Sequence, residues 1–203
     1  MARPRHKRPA SAPAGMLRII GGSHRGRRLS FPAVDDVRPS PDRVRETLFN
    51  WLMPVIRDAR CLDLFAGSGA LSLEALSRGA SSATAVDQSR LLTRNLSTLG
   101  EQLGEASRLQ VNCTDVGHWL SQPPARPFDV IFMDPPFRQG WLDRILPRLA
   151  SPQWVREGSF IYMEHEAGLD PILPEGWVLH RRQHAGQVTG TLCRVTVNPT
   201  PVS

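Results

Sequence analysis

Between Arg60 and Leu73 the chain reads RCLDLFAGSGALSL, a short apolar run that breaks at glycines and resumes as an amphipathic segment. Cys61, Leu62, Leu64 and Phe65 read as a buried strand, Gly67 and Gly69 permit a tight bend, and Leu71 and Leu73 open a helix. Strand, glycine turn and helix in that order begin a doubly wound α/β domain, whose ligands lie across the carboxyl ends of the strands. The turn lacks the G-x-G-x-x-G spacing suited to a pyrophosphate, and no Lys follows it as in a P-loop. Asp63, just before the glycines, would repel phosphate and attract an ammonium group. Short glycine motifs also arise from packing alone, so the turn gains meaning only from what lies downstream.

Downstream, Ser82 to Asp87 (SATAVD) reads as a second strand ending in an acid. Asp87 lies roughly twenty residues past the glycines, the spacing at which a carboxylate meets a ribose hydroxyl pair. Leu91 to Leu103 is then a helix, Leu109 to Asn112 a third strand and Asp115 to Leu120 a short helix, with Asp115 placed to accept from an adenine amine. Phe128 to Met133 is nearly all apolar, as a central strand requires, and runs into Asp134-Pro-Pro-Phe137. Two prolines there end strand pairing and stiffen the loop. A helix over Trp141 to Leu149, a fifth strand over Ser159 to Met163 and strands over Trp177 to Gln183 and Thr191 to Val197 complete the pattern. Gly186 and Gly190 are expected to shape the last connection.

Upstream, Met1 to Gly15 is rich in Arg, Pro and Ala, has no apolar run to bury, and is expected to be a disordered basic tail. Leu17 to Phe31 reads as a small basic hairpin, with Arg25, Arg27 and Arg28 on or beside its turn, where they can grip phosphates. Ser40 is placed to cap a helix from Asp42 to Met53, with Pro41 at its first position and Pro54 at its end. Val44, Leu48, Trp51 and Leu52 share one face of that helix, which leaves Arg43 and Arg45 elsewhere. The expected division is therefore a tail over 1–15, a hairpin and loop over 16–41, and one α/β domain over 42–203.

The charge supports a polyanionic partner. The net charge of the 203 residues is +6, yet eight basic residues precede the first acid, Asp35, so the remainder is −2. Cys61, Cys113 and Cys193 are isolated, which suggests neither a disulfide framework nor a metal site and fits a reducing cytoplasm. No secretory signal and no apolar stretch of membrane-spanning length is apparent.

An acid after the second strand and D-P-P-F after the fourth resemble the class I S-adenosylmethionine-dependent methyltransferase fold, with a seven-stranded, mostly parallel sheet. The D-P-P-F loop resembles the [DNS]-P-P-[YFW] loop of enzymes that methylate exocyclic base amines. Such an amine is a poor nucleophile because its lone pair is delocalised into the ring. Asp134 and the Pro135 carbonyl can hold its protons, and Phe137 can stack on an extruded base. GGSHRGRRL, RPSPDRVRETLFNWL, CLDLFAGSGALSLEALSRGA and FMDPPF follow in the order of the bacterial RsmD-like family. That family forms N2-methylguanine at position 966 of 16S ribosomal RNA.

This resemblance implies S-adenosyl-L-methionine as cofactor, with Asp63, Phe65, Gly67 and Gly69 on its methionine side, Asp87 at its ribose and Asp115 at its adenine. Ala66 and Gln88 join the cofactor-binding set, and Asp134, Pro135, Pro136 and Phe137 take the target amine. Arg25, Arg27, Arg38, Arg43 and Arg45 are the RNA-contact candidates. Ser40 stands where the family usually has Thr. The implied partner is 16S rRNA within a small-subunit particle, met by a monomer that needs neither metal nor membrane. The same loop also suits an adenine-N6 methyltransferase acting on DNA or RNA, and the fold alone suits a catalytically silent RNA-binding assembly factor.

Overall fold

A computed structural model describes residues 15–34 and 40–197. Most of the expected basic tail and Arg38 lie outside these residues, whereas Gly15, assigned to the tail from sequence, already belongs to a strand. The chain opens with an antiparallel hairpin, β1 (Gly15–Arg18) and β2 (Arg28–Phe31). There follow α1 (Asp42–Leu52), β3 (Arg60–Leu64), α2 (Ala70–Ser77), β4 (Ser82–Asp87), α3 (Arg90–Gln102) and β5 (Leu109–Cys113). The short α4 (Val116–Trp119), β6 (Val130–Met133), α5 (Trp141–Leu149), β7 (Phe160–Glu166), β8 (Trp177–Ala185) and β9 (Val188–Val195) complete it.

The main sheet has seven strands in the order β5-β4-β3-β6-β7-β9-β8, with β5 through β7 parallel and the final hairpin antiparallel. After β3 the chain builds outward through β4 and β5, then returns to lay β6 on the other side of β3. This reversal opens a crevice at the carboxyl ends of β3 and β6, the place where open α/β sheets bind ligands.

Strand alternation sends successive side chains to opposite layers. Leu62, Leu64, Ile131, Met133, Ile161 and Met163 pack with Leu142, Ile145 and Leu149 of α5. Cys61, Val130, Phe132, Phe160 and Tyr162 face the other way, against Leu48, Phe49 and Leu52 of α1 and Leu71 and Ala75 of α2. By the same alternation Asp63, Asp134 and Glu164 belong to this second face. The hairpin joins the core as well: Leu17, Ile19, Leu29 and Phe31 pack on Ala66, Ala70, Leu73 and Leu96.

Glu74, fully buried on α2, fastens that hairpin. Its Oε2 accepts from the Ile20 N–H and its Oε1 from the Gly21 N–H, each at 2.8 Å, while Arg78 Nε donates to Oε1 at 2.7 Å.

Several local expectations are corrected. Phe65 is not part of β3; it takes a left-handed conformation with φ 68°. β6 begins at Val130, so Phe128 and Asp129 precede it; the Phe128 N–H donates to the Trp154 carbonyl, outside the sheet. β7 runs on to Glu166, since β9 pairs it through Val188. Gly190 lies inside β9, opposite Glu164, where a Cβ would approach the Tyr162 hydroxyl to 2.5 Å. Ser40 makes no cap; its hydroxyl points to Glu164 instead, and the Pro41 carbonyl takes the first helical N–H bonds. On α1, Phe49 is buried and Trp51 only partly so.

Candidate active site

The glycine turn after β3 is held from beneath by β4. Ala66 N–H donates to the Val86 carbonyl at 3.0 Å, Gly67 N–H to Asp87 Oδ2 at 2.8 Å, and Gly69 N–H to the Ala66 carbonyl at 2.8 Å. Gly67 and Gly69 have φ of 54° and 79°, a region that L side chains rarely adopt. At Gly69 a Cβ would also strike Leu96 at 2.2 Å, so that helix α3 and the turn come together only around a glycine.

Asp63 is buried in β3, and its Oδ2 accepts from the Ser72 N–H at 3.1 Å and the Ser72 hydroxyl at 2.6 Å. Burial pushes its pKa up to about 7; the Ser72 bonds oppose that rise and Asp87 adds to it. Asp63 therefore orients the start of α2. Asp87 accepts one backbone N–H on each oxygen, from Gly67 and, at 2.7 Å, from Ser89. Each of those oxygens keeps a second lone pair. Gln88 is exposed beside it. Asp115 is exposed and caps α4 through Oδ1, which accepts from the His118 N–H at 3.0 Å, leaving Oδ2 without a protein donor among the described residues.

These groups fit a cationic donor better than a phosphate. The N–H groups of Gly67 and Gly69 are already spent on the protein, and the strand ends present Asp63, Asp87 and Asp115. An ammonium or sulfonium charge would be welcome there, and ribose hydroxyls can donate to the remaining lone pairs.

Across the switch point, Asp134 follows β6. It is partly buried and hydrogen-bonds to no described residue. Its carboxyl is held well above the usual range, chiefly by burial, then by the charges of Glu164 and Asp63. Register explains the neighbourhood: Leu64 pairs with Met133 and Met133 with Met163, so Phe65, Asp134 and Glu164 each stand one step beyond a paired residue. Pro135 is buried, Pro136 exposed, and Phe137 is 37% exposed.

Beside this loop lies a cleft of about 830 Å³. It is lined by Pro135, Pro136, Phe137 and Trp141 and by Glu164, Glu166, Leu169 and Gln187. The Arg138 N–H donates to Glu166, which fixes the loop against the end of β7. Trp141 meets Phe65 edge-on at 5.0 Å between ring centroids, joining the glycine turn to the helix after D-P-P-F.

The predicted arginines separate into two kinds. Arg25, Arg27 and Arg43 are exposed and have no acidic partner among the described residues. Arg45 is corrected: it is 1% exposed, donates to the Ser40 and Arg18 carbonyls and to Asp42 Oδ1, and stands 3.8 Å from Glu74. It shares a stripe with Leu48, Phe49 and Leu52 and is unavailable to RNA.

Sequence reasoning misses Glu164, Tyr162 and the destination of Ser40. A signal is present, because Glu164 follows the apolar run FIYM just as Asp87 and Asp134 follow theirs.

The sheet order and the two loops at its switch point define a class I S-adenosylmethionine-dependent methyltransferase fold. A family model described as conserved hypothetical protein 95 matches residues 17–194, and the chain belongs to that family, the RsmD-like one. It is 46% identical over 188 residues to ribosomal RNA small subunit methyltransferase D of Escherichia coli strain K12, covering 90% of this chain and 91% of that protein. It is 34% identical over 178 residues to a Bacillus subtilis protein named putative rRNA methyltransferase YlbH, covering 86% and 96%. Among solved structures, the putative methyltransferase yhhF of Escherichia coli superimposes with a TM-score of 0.83 at 44% identity, covering 91% of this chain and all of that one. No described helix is long and apolar enough to cross a membrane.

Proposed function

We propose that this protein transfers a methyl group from S-adenosyl-L-methionine to the exocyclic N2 of a guanine, at position 966 of 16S rRNA in a small-subunit particle. The observation that carries the reading is the carboxyl of Asp134, unpartnered among the described residues and set one strand away from a glycine turn whose surroundings are acidic. The named function of the Escherichia coli relative supports the RNA and the subunit.

The cofactor supplies an electrophilic methyl carbon on a sulfonium centre. Asp63, Phe65, Ala66, Gly67 and Gly69 would hold its methionine end, Asp87 and Gln88 its ribose, and Asp115 its adenine. On the other side Asp134 accepts an N2–H of the base, which turns the nitrogen lone pair out of conjugation, while Phe137 stacks on the ring. Bound cofactor would supply the methyl group to that lone pair, and Asp134 would take the proton lost from nitrogen. A carboxyl whose pKa is raised by burial is the better acceptor for that proton. Most of the acceleration comes from alignment of nitrogen, carbon and sulfur.

Arg25, Arg27 and Arg43 would grip RNA phosphates, with the hairpin over 16–41 as the RNA-facing unit and 42–203 as the transfer unit. The protein would act as a cytoplasmic monomer. Incubation with labelled donor and small subunits from cells lacking the protein, followed by nucleoside mass spectrometry, tests this. Label in N2-methylguanosine is expected; label confined to N6-methyladenosine would refute it.

A further inference from the structure

Glu164 is an acid of the cleft wall for which methyl transfer has no use. It is 5% exposed, and both of its protein donors converge on one oxygen: Ser40 Oγ at 2.6 Å and Tyr162 Oη at 3.0 Å both donate to Oε1. No described residue donates to Oε2, although Glu164 borders the same cleft as Phe137. Two long-range arrangements maintain this pose. Ser40 reaches Glu164 from 124 residues away in sequence, and Gly190 leaves the space in which the Tyr162 hydroxyl sits.

Fixing Ser40 and Tyr162 requires one carboxylate oxygen; it does not account for the second, to which no described residue donates, in a carboxyl close enough for its charge to act on Asp134. Burial raises the pKa of both carboxyls, and at Asp134 the charge of Glu164 adds to that rise. A ligand with two adjacent donors relieves it. Guanine has such an edge, with N1–H beside the N2 amine, whereas adenine places an N1 lone pair beside its amine.

We propose that Glu164 Oε2 accepts the N1–H of the target guanine while Asp134 accepts from N2, making Glu164 the residue that rejects purines without an N1 proton. This inference rests on the guanine-N2 reading above. 2-Aminopurine separates the two, because it keeps the reactive amine at the same ring position but offers a lone pair at N1. Against that lone pair the carboxylate has no donor to accept, and an unpaired buried acceptor is costly.

The test uses the full chain and small-subunit particles rebuilt with guanine or 2-aminopurine at the target position, reading kcat/KM for each. Wild type is expected to prefer guanine by roughly tenfold to a hundredfold. In Glu164→Gln the amide oxygen can retain Ser40 and Tyr162 while its NH2 faces the cleft, so the preference should fall by about tenfold or more. Affinity for S-adenosylhomocysteine should stay within about threefold, because Glu164 touches the base and not the cofactor. Both bases react in one preparation, so the ratio is independent of the active fraction. Equal rates on the two bases with wild type, or an unchanged ratio in Glu164→Gln, would overturn the inference alone. Failure of wild type to methylate guanine N2 in the particle would overturn it together with the reading it rests on. Should Glu164→Gln not fold, the wild-type ratio still decides.

Discussion

The backbone N–H of Gly67 donates to Asp87 Oδ2 at 2.8 Å, so the turn after β3 is tied to the acid that ends β4. The other carboxylate oxygen holds the Ser89 N–H at 2.7 Å, at the start of α3. One side chain thus fixes the loop and the helix that flank the proposed ribose site. Asp87→Ala removes both acceptors, and calorimetric titration should show S-adenosylhomocysteine binding about tenfold to a hundredfold weaker. Unchanged affinity would mean that Asp87 serves the fold alone.

Glu74→Ala strips three donors of their acceptor beneath the hairpin. Denaturant unfolding should show a loss of about 3–5 kcal/mol, the cost of leaving buried charge without its partner. Hydrogen exchange at the Ile20 and Gly21 amides should accelerate more than at β3, because those amides are the ones released.

Arg45 and Arg43 are neighbours with opposite fates. Arg25, Arg27 and Arg43 replaced together by Ala should weaken RNA binding and flatten its salt dependence, by about 0.7 in log–log slope for each phosphate no longer neutralised. Arg45→Ala should leave that slope unchanged and lower stability by about 3 kcal/mol instead, since its guanidinium is enclosed between Asp42, Glu74 and main-chain carbonyls.

Asp63 makes stability depend on pH. Its carboxyl ionises near 3.8 when unfolded and at about 7 in the fold, so between those values the native state keeps a proton that the unfolded chain has released. Stability from this group therefore declines as pH rises through the window. Asp63→Asn retains an acceptor for Ser72 but cannot titrate. Thermal unfolding from pH 4 to 7 should show a flatter profile for the variant.

Much of the arrangement is legible in the sequence because buried parallel strands leave continuous apolar runs, and each run that ends in an acid marks a carboxyl end at the crevice. The expected limits of Ser82–Asp87 and Trp141–Leu149 match the observed ones for that reason. The features that local pattern does not reveal depend on partners distant in sequence. Nothing local tells Ser40 to reach Glu164 rather than cap α1, or Gly190 to sit within a strand and clear Tyr162. Arg45 is legible in principle: 45, 48, 49 and 52 form one helical stripe, and position there outweighs charge. Its enclosure depends on Glu74, an acid within a helix buried on every side.

Asp134 serves the transferring nitrogen in this mechanism, while the glycine turn serves the donor. Asp134→Ala, measured for S-adenosylmethionine binding and for single-turnover transfer to small subunits in the same preparation, addresses that division directly. The donor should bind within about threefold of wild type, with transfer slowed by about a hundredfold or more. Normal transfer from the bound donor, with binding weakened instead, would contradict the account.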